Sequence, residues 1–237
     1  KLTQSLSKLI EEDPSLSLNH DHVTHELVLW GQGEIHLRAA LERLKNKFGL
    51  EAAASPRKIG YRETIRKSTQ IRGRHKKQSG GHGQYGDIVV EIKPLARGEG
   101  FIFSDTVVGG SVPKQYIPAV ENGIREWLVR GPLGFEVVDF AVNLSDGSYH
   151  DVDSSEMAFK MAARAAMAEA TPNCQPLLLE PVVNLEIHTP SEHTARVNQI
   201  ITGHRGQVLG YDNRENWPGW DTVKAHMPEA EIASLIE

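Results

Sequence analysis

The feature that most constrains this chain is the alternation on either side of the glycine-rich stretch QSGGHGQYG, residues 78–86. From Tyr61 to about Ile92, outside that stretch, β-branched residues alternate with polar ones, the two-residue period of a half-buried strand. Two such runs around a glycine tip predict a long hairpin. The tail GHGQYG also fits G-x-G-x-x-G, the pattern of a dinucleotide loop. That loop must lead from a strand into a helix, so that the helix N-terminus meets the pyrophosphate. Here DIVVEIKP follows, which reads as a strand, and the requirement fails. No G-x-x-x-x-G-K-[ST] occurs either, because Lys67-Ser68 lacks the preceding glycine. The residues present are therefore expected to bind no nucleotide cofactor and to carry out no catalysis.

Charge sharpens the question of what the hairpin is for. The chain has a net charge of −5, which argues against a general nucleic-acid binder. Yet Arg62, Arg66, Lys67, Arg72, Arg74, Lys76 and Lys77 crowd one segment, opposed there only by Glu63. A basic stripe in an acidic protein is either a localised phosphate contact or a solvated strand face. A second turn, DGSYHD (146–151), shares the hairpin tip's glycine, small hydroxyl, tyrosine and histidine. Glycine lets a backbone approach a partner closely, and free N–H groups in such turns suit phosphate oxygens. Tyr85 and Tyr149 offer planes for base stacking, and His82 and His150 can donate to phosphate or 2′-hydroxyl groups. Both turns could equally be ordinary flexible loops.

The rest of the chain divides into three modules. Residues 2–12 place Leu2, Leu6, Leu9 and Ile10 on one helical stripe. Two short strands around HDHVT follow, then a helix over 34–48 with its cap at Gly49, then LEAAA as a strand. This is a β-α-β-β-α-β unit without its first strand, which predicts further chain upstream of Lys1. A linker around Pro56 leads to the hairpin, a strand over 100–110, a helix over 116–131, another strand, and a helix over 155–170 capped by Asp153-x-x-Glu156. The alanines and methionines of that last helix read as packing residues. TPNCQP (171–176) reads as a linker, and its Cys174 as an unreactive thiol suited to a reducing cytoplasm. Strand, helix, strand, strand and helix then make a second incomplete unit. His20, His22 and His25 lack converging partners for a metal, and DGSYHDVDSSE lacks the glycine of a calcium loop. No apolar run reaches the roughly 18 residues of a membrane span.

GQGEIHL (31–37), YRETI (61–65), KKQSGGHGQYG (76–86), IPAVENGI (117–124), GPLGFEVVD (131–139), DGSYHDVDSSEMAFK (146–160) and LLEPV (178–182) occur here in the order seen in elongation factor G, and the chain resembles that family over essentially its whole length. The resemblance implies an α+β protein with two ferredoxin-like β-α-β-β-α-β modules, residues 1–57 and 177–237, flanking a module like the second domain of ribosomal protein S5, residues 58–176. It also implies a monomeric cytoplasmic partner of the ribosome, with GTP and Mg held by a GTPase domain upstream. By the same resemblance, the central module reaches the small-subunit decoding region and touches the tRNA–mRNA duplex. One tip loop would comprise Lys76, Lys77, Gln78, Ser79, Gly80, Gly81, His82, Gly83, Gln84, Tyr85 and Gly86. The other would comprise Ser148, Tyr149, His150 and Asp151, while His204 and Arg205 would face the large-subunit GTPase centre. Two departures point to a divergent paralogue: His82 stands where the family usually has arginine or a small hydroxyl residue, and Trp217-Pro218-Gly219-Trp220 is idiosyncratic. A paralogue acting in ribosome recycling or protection, and a free-standing RNA-binding module, are the alternatives.

Overall fold

The computed structural model describes residues 1–78 and 83–236. Contacts gather the chain into two compact units, one of residues 1–60 with 183–237, the other of residues 61–182. The first unit opens with α1 (Leu2–Glu12), β1 (Ser17–Asp21), β2 (Glu26–Trp30) and α2 (Glu34–Phe48). β1 and β2 pair antiparallel, and Leu6, Leu9 and Leu44 form a small core over them with Leu18, Leu29 and Phe48 packed around it. The predicted cap holds: Gly49 ends α2 at φ 63, where glycine meets no Cβ penalty. Ile35, in the first turn of α2, is solvent-exposed. LEAAA forms no strand, because a strand needs a hydrogen-bonded neighbour and residues 50–54 pair with none among the described residues.

The second unit contains β3 (Arg62–Ile65), β4 (Thr69–Lys77), β5 (Gln84–Pro94), β6 (Phe101–Asp105), α3 (Ile117–Leu128), β7 (Glu136–Val137), β8 (Phe140–Ser148), α4 (Glu156–Ala170) and β9 (Pro176–Leu179). Its main sheet has the order β4-β5-β8-β6, and a smaller one the order β7-β3-β9. Tyr61 to Ile92 is thus not a single hairpin. β3 leaves it to pair parallel with β7 and antiparallel with β9, drawing Pro176–Leu179 into this unit. TPNCQP is no linker: Thr171–Cys174 is a 3₁₀ turn whose Cys174 is buried and whose Cys174 carbonyl accepts the Arg66 and Lys67 N–H groups. Burial also pushes the Cys174 thiol pKa up, away from reactivity.

The core of this unit joins Ile88, Val90, Ile92, Phe140, Val142 and Leu144 from the sheet to Val120, Ile124, Phe159 and Met167 from the helices. α4 contributes Ala158, Ala162, Ala163, Ala166 and Ala170, all buried. Small side chains there let the helix backbone come down on the hairpin. A Cβ at Gly73 would lie 2.5 Å from the Ala162 carbonyl oxygen, and one at Gly86 would lie 2.4 Å from that of Ala158. Both strand glycines are required by that approach. Of the methionines of α4, Met167 fills the core, but Met157 and Met161 are exposed. The helix is capped by Ser155, whose hydroxyl accepts the Ala158 N–H at 3.2 Å, and not by Asp153.

The chain then returns to the first unit with β10 (Val182–Pro190), α5 (Thr194–Gly203), β11 (Gln207–Asn213), β12 (Trp220–Pro228) and the short α6 (Ile232–Ile236). The sheet order is β10-β12-β11, and Ile201 of α5 packs on Val223, Ala225 and Met227. No helix among the described residues is long and apolar enough to cross a membrane.

A candidate nucleic-acid interface at the hairpin tip

β4 and β5 stay in register from Thr69 opposite Ile92 to Lys77 opposite Gln84. β4 and β5 therefore make a two-stranded arm whose last described pair is Lys77 with Gln84. A turn between β8 and α4 lies against the start of β5, with Tyr85 and Ser154 forming a β-bridge. The Gly83 N–H donates to Asp153 Oδ1 at 3.0 Å, and the Tyr85 N–H to the Asp153 carbonyl at 2.8 Å. The Ser154 hydroxyl donates to the Tyr85 carbonyl and accepts the His150 N–H, each at 2.9 Å. Residues 83–85 and the turn before α4 are thus joined by hydrogen bonds. Within the GHGQYG pattern, Gly83 and Tyr85 donate their N–H groups to Asp153, and the strand β5 stands where a dinucleotide loop would lead into a helix.

Lys76, Lys77, Gln78, Gln84, Tyr149, His150 and Asp151 are exposed at this end of the unit. Gln84 is steadied by His75, whose Nε2 lies 2.9 Å from its side-chain oxygen. Tyr85, Ser148 and Gly86 are placed differently from the others. The Tyr85 hydroxyl lies 2.7 Å from Ser148 Oγ, and Gly86 is buried beneath α4. These three residues support the tip from below. Ser79, Gly80, Gly81 and His82 lie outside the described residues.

Beneath the tip sits a carboxylate that sequence reasoning missed. Asp87 is buried, yet it accepts Arg72 Nε at 2.8 Å and Nη2 at 2.5 Å, Arg74 Nη2 at 3.3 Å and the Ser148 hydroxyl at 2.6 Å. Burial alone would raise its pKa. The hydrogen bonds from Arg72, Ser148 and Arg74 outweigh that and hold it down at about 2. The same contact raises the Arg72 pKa. Glu63, expected to oppose the basic run, instead turns inward and accepts the Leu133 and Phe135 N–H groups. Asp153 and Ser154 were also missed as tip residues, since their partners lie about 70 positions away.

His204 and Arg205 belong to the other unit, in the turn after α5. Arg205 Nε donates to Glu231 Oε1 at 2.7 Å, and His204 Nδ1 lies 3.4 Å from Glu231 Oε2. The Arg205 hydrogen bond holds the Glu231 carboxyl below its usual pKa. Both side chains are therefore engaged within their own module.

The chain is an α+β protein of several small sheets, and the comparisons assign that architecture to a family of translation factors. Residues 1–56 match the family profile of elongation factor G domain III, residues 57–175 that of domain IV, and residues 177–237 that of the elongation factor G C-terminus. The chain belongs to the elongation factor G family. It is 57% identical over 236 residues to an elongation factor G-like protein of Synechocystis sp., covering 100% of this chain and 35% of that protein. A crystal structure from Thermus thermophilus superposes with a TM-score of 0.85 at 41% identity, over 98% of this chain and 34% of that one. The chain thus spans about a third of the length of the relatives it matches.

Proposed function

We propose that this chain is the ribosome-binding C-terminal part of an elongation factor G-like GTPase that drives movement of tRNA and mRNA in the cytoplasm. In this reading the tip of residues 76–86 and 148–154 enters the small-subunit decoding region and bears on the tRNA–mRNA duplex. The turn at His204 and Arg205 lies toward the large-subunit GTPase centre. GTP and Mg belong to chain upstream of these residues, and the protein acts as a monomer.

The observation that carries the reading is the joining of the two turns by Asp153 and Ser154, which presents Gln84, Tyr149 and His150 together beyond a basic strand end. A slim, prebuilt, polar tip recognises folded RNA by shape and by planar contacts. Single-round translocation by the full-length protein on pre-translocation ribosomes with GTP, reading mRNA movement, tests it. Movement that slows in Gln84→Ala and His150→Ala, more than ribosome binding weakens, is the expected result. GTP hydrolysis and binding without movement would instead assign a recycling or protection factor.

A further inference from the structure

The basic run around β4 looks uniform in sequence but is not so in space. Arg62 pairs with Glu136 at 3.0 Å, on another strand of the small sheet. Arg72 and Arg74 both turn to the buried Asp87, Arg72 with two of its nitrogens. Asp146 on β8 adds a second carboxylate field at Arg72. Lys76 and Lys77 are exposed, as Arg72 and Arg74 are, but unlike them form no ion pair with any described residue.

A carboxylate with no exposed surface is costly unless charge and hydrogen bonds compensate it fully. Here the compensation comes from β4 on one side and from Ser148 of β8 on the other. Ser148 in turn holds the Tyr85 hydroxyl, and Tyr85 opens β5 beside the first turn. One buried group therefore touches the strands that lead into both turns.

We infer that Asp87 is a positioning residue that divides the basic run in two, pairing the charges of Arg72 and Arg74 and tying β5 to Ser148, so that Lys76 and Lys77 are the phosphate-facing cations of the tip. The inference rests on the reading of this tip as an RNA contact. Its added content is which cations serve the RNA and which serve the fold.

The salt dependence of binding separates the two sets, because each phosphate contact contributes about 0.7–0.9 to the slope of log affinity against log salt. Binding of the full-length protein to tRNA-loaded ribosomes is measured at several salt concentrations. Lys76→Gln is expected to flatten the slope by about 0.7. Arg74→Gln, which leaves Arg72 on Asp87, is expected to leave the slope unchanged. Asp87→Asn is expected to steepen it by at least about 0.7, because it frees cations on the same strand face as Lys76. Ser148→Ala keeps both arginines paired, and is expected to slow mRNA movement at unchanged slope.

Equal flattening by Lys76→Gln and Arg74→Gln would overturn the division. So would an unchanged slope in a folded Asp87→Asn protein. If Asp87→Asn fails to fold, the comparison of Lys76→Gln with Arg74→Gln still decides the matter. If neither Lys76→Gln nor Lys77→Gln alters the slope while the parent binds ribosomes, the RNA-contact reading of the tip fails instead.

Discussion

Gly86 passes under the first turn of α4 so closely that a methyl group there would lie 2.6 Å from the Ala158 carbonyl carbon and 2.8 Å from the Phe159 nitrogen. Both obstacles are backbone and cannot swing aside. Gly86→Ala is expected to cost about 1–3 kcal/mol, as overpacking does, which a shift in the urea midpoint at unchanged m would register. Asp87 gives the residue scale its pH dependence. Its folded pKa of about 2 lies below its ordinary 3.8, so its contribution is full above that ordinary value and disappears as pH falls through about 2. A group so depressed contributes on the order of 2 kcal/mol. Urea titrations between pH 5 and pH 2 should show a loss that is smaller in Asp87→Asn. Neither role was legible in the sequence. The glycines were read as a slim turn, and only the approach of a helix more than 70 positions later shows why Gly86 has no side chain. Asp87 looked like one polar residue in an alternating strand, because its partners lie 13, 15 and 61 positions away.

At the scale of elements, α4 couples the tip to the core. Its first turn is tied by the Ser155 hydroxyl, and the residues before it hold the hairpin turn. Ser155→Ala is expected to cost about 1 kcal/mol of stability. Faster amide exchange at Ala158 and Phe159, ahead of exchange deeper in the helix, would place that loss at the cap. Elements with strong periodicity were legible: the amphipathic helices α1 and α2, the β4–β5 part of the alternating run and the left-handed cap at Gly49 stand where the pattern put them. Elements that depend on a distant neighbour were not. Residues 50–54 have strand-like surroundings in sequence but no partner to pair with among the described residues. Pro176–Leu179 has linker-like neighbours, yet it is a strand because β3 lies beside it. Composition reports what a segment could do, and pairing decides.

For the whole molecule, the two units differ in what holds them. Residues 61–182 enclose nineteen buried core residues in one cluster, whereas the other unit has separate clusters of three and four. In that other unit Arg57 reaches both halves of the chain, donating to Asp21 Oδ2 at 2.9 Å and pairing with Glu229. Arg57→Ala should raise amide exchange in both the 1–60 and 183–237 segments while leaving residues 61–182 as protected as before. A change of about 1 kcal/mol is the scale for such an ion pair. The family resemblance carried further at this level than physical reading did. The motifs led to an expectation of three modules, and contacts gather the chain into two units, with β9 drawn into the unit of residues 61–182.

The glycine contacts with α4 also have a mechanical meaning. The arm of β4 and β5 is clamped to the helix at two places, Gly73 against Ala162 and Ala166, and Gly86 against Ala158. Along the helix these lie eight residues apart at most, about 12 Å at the α-helical rise. Backbone meets backbone at both places, so neither contact can be relieved by a side-chain rotation, and the spacing of arm and helix is set by the main chain alone.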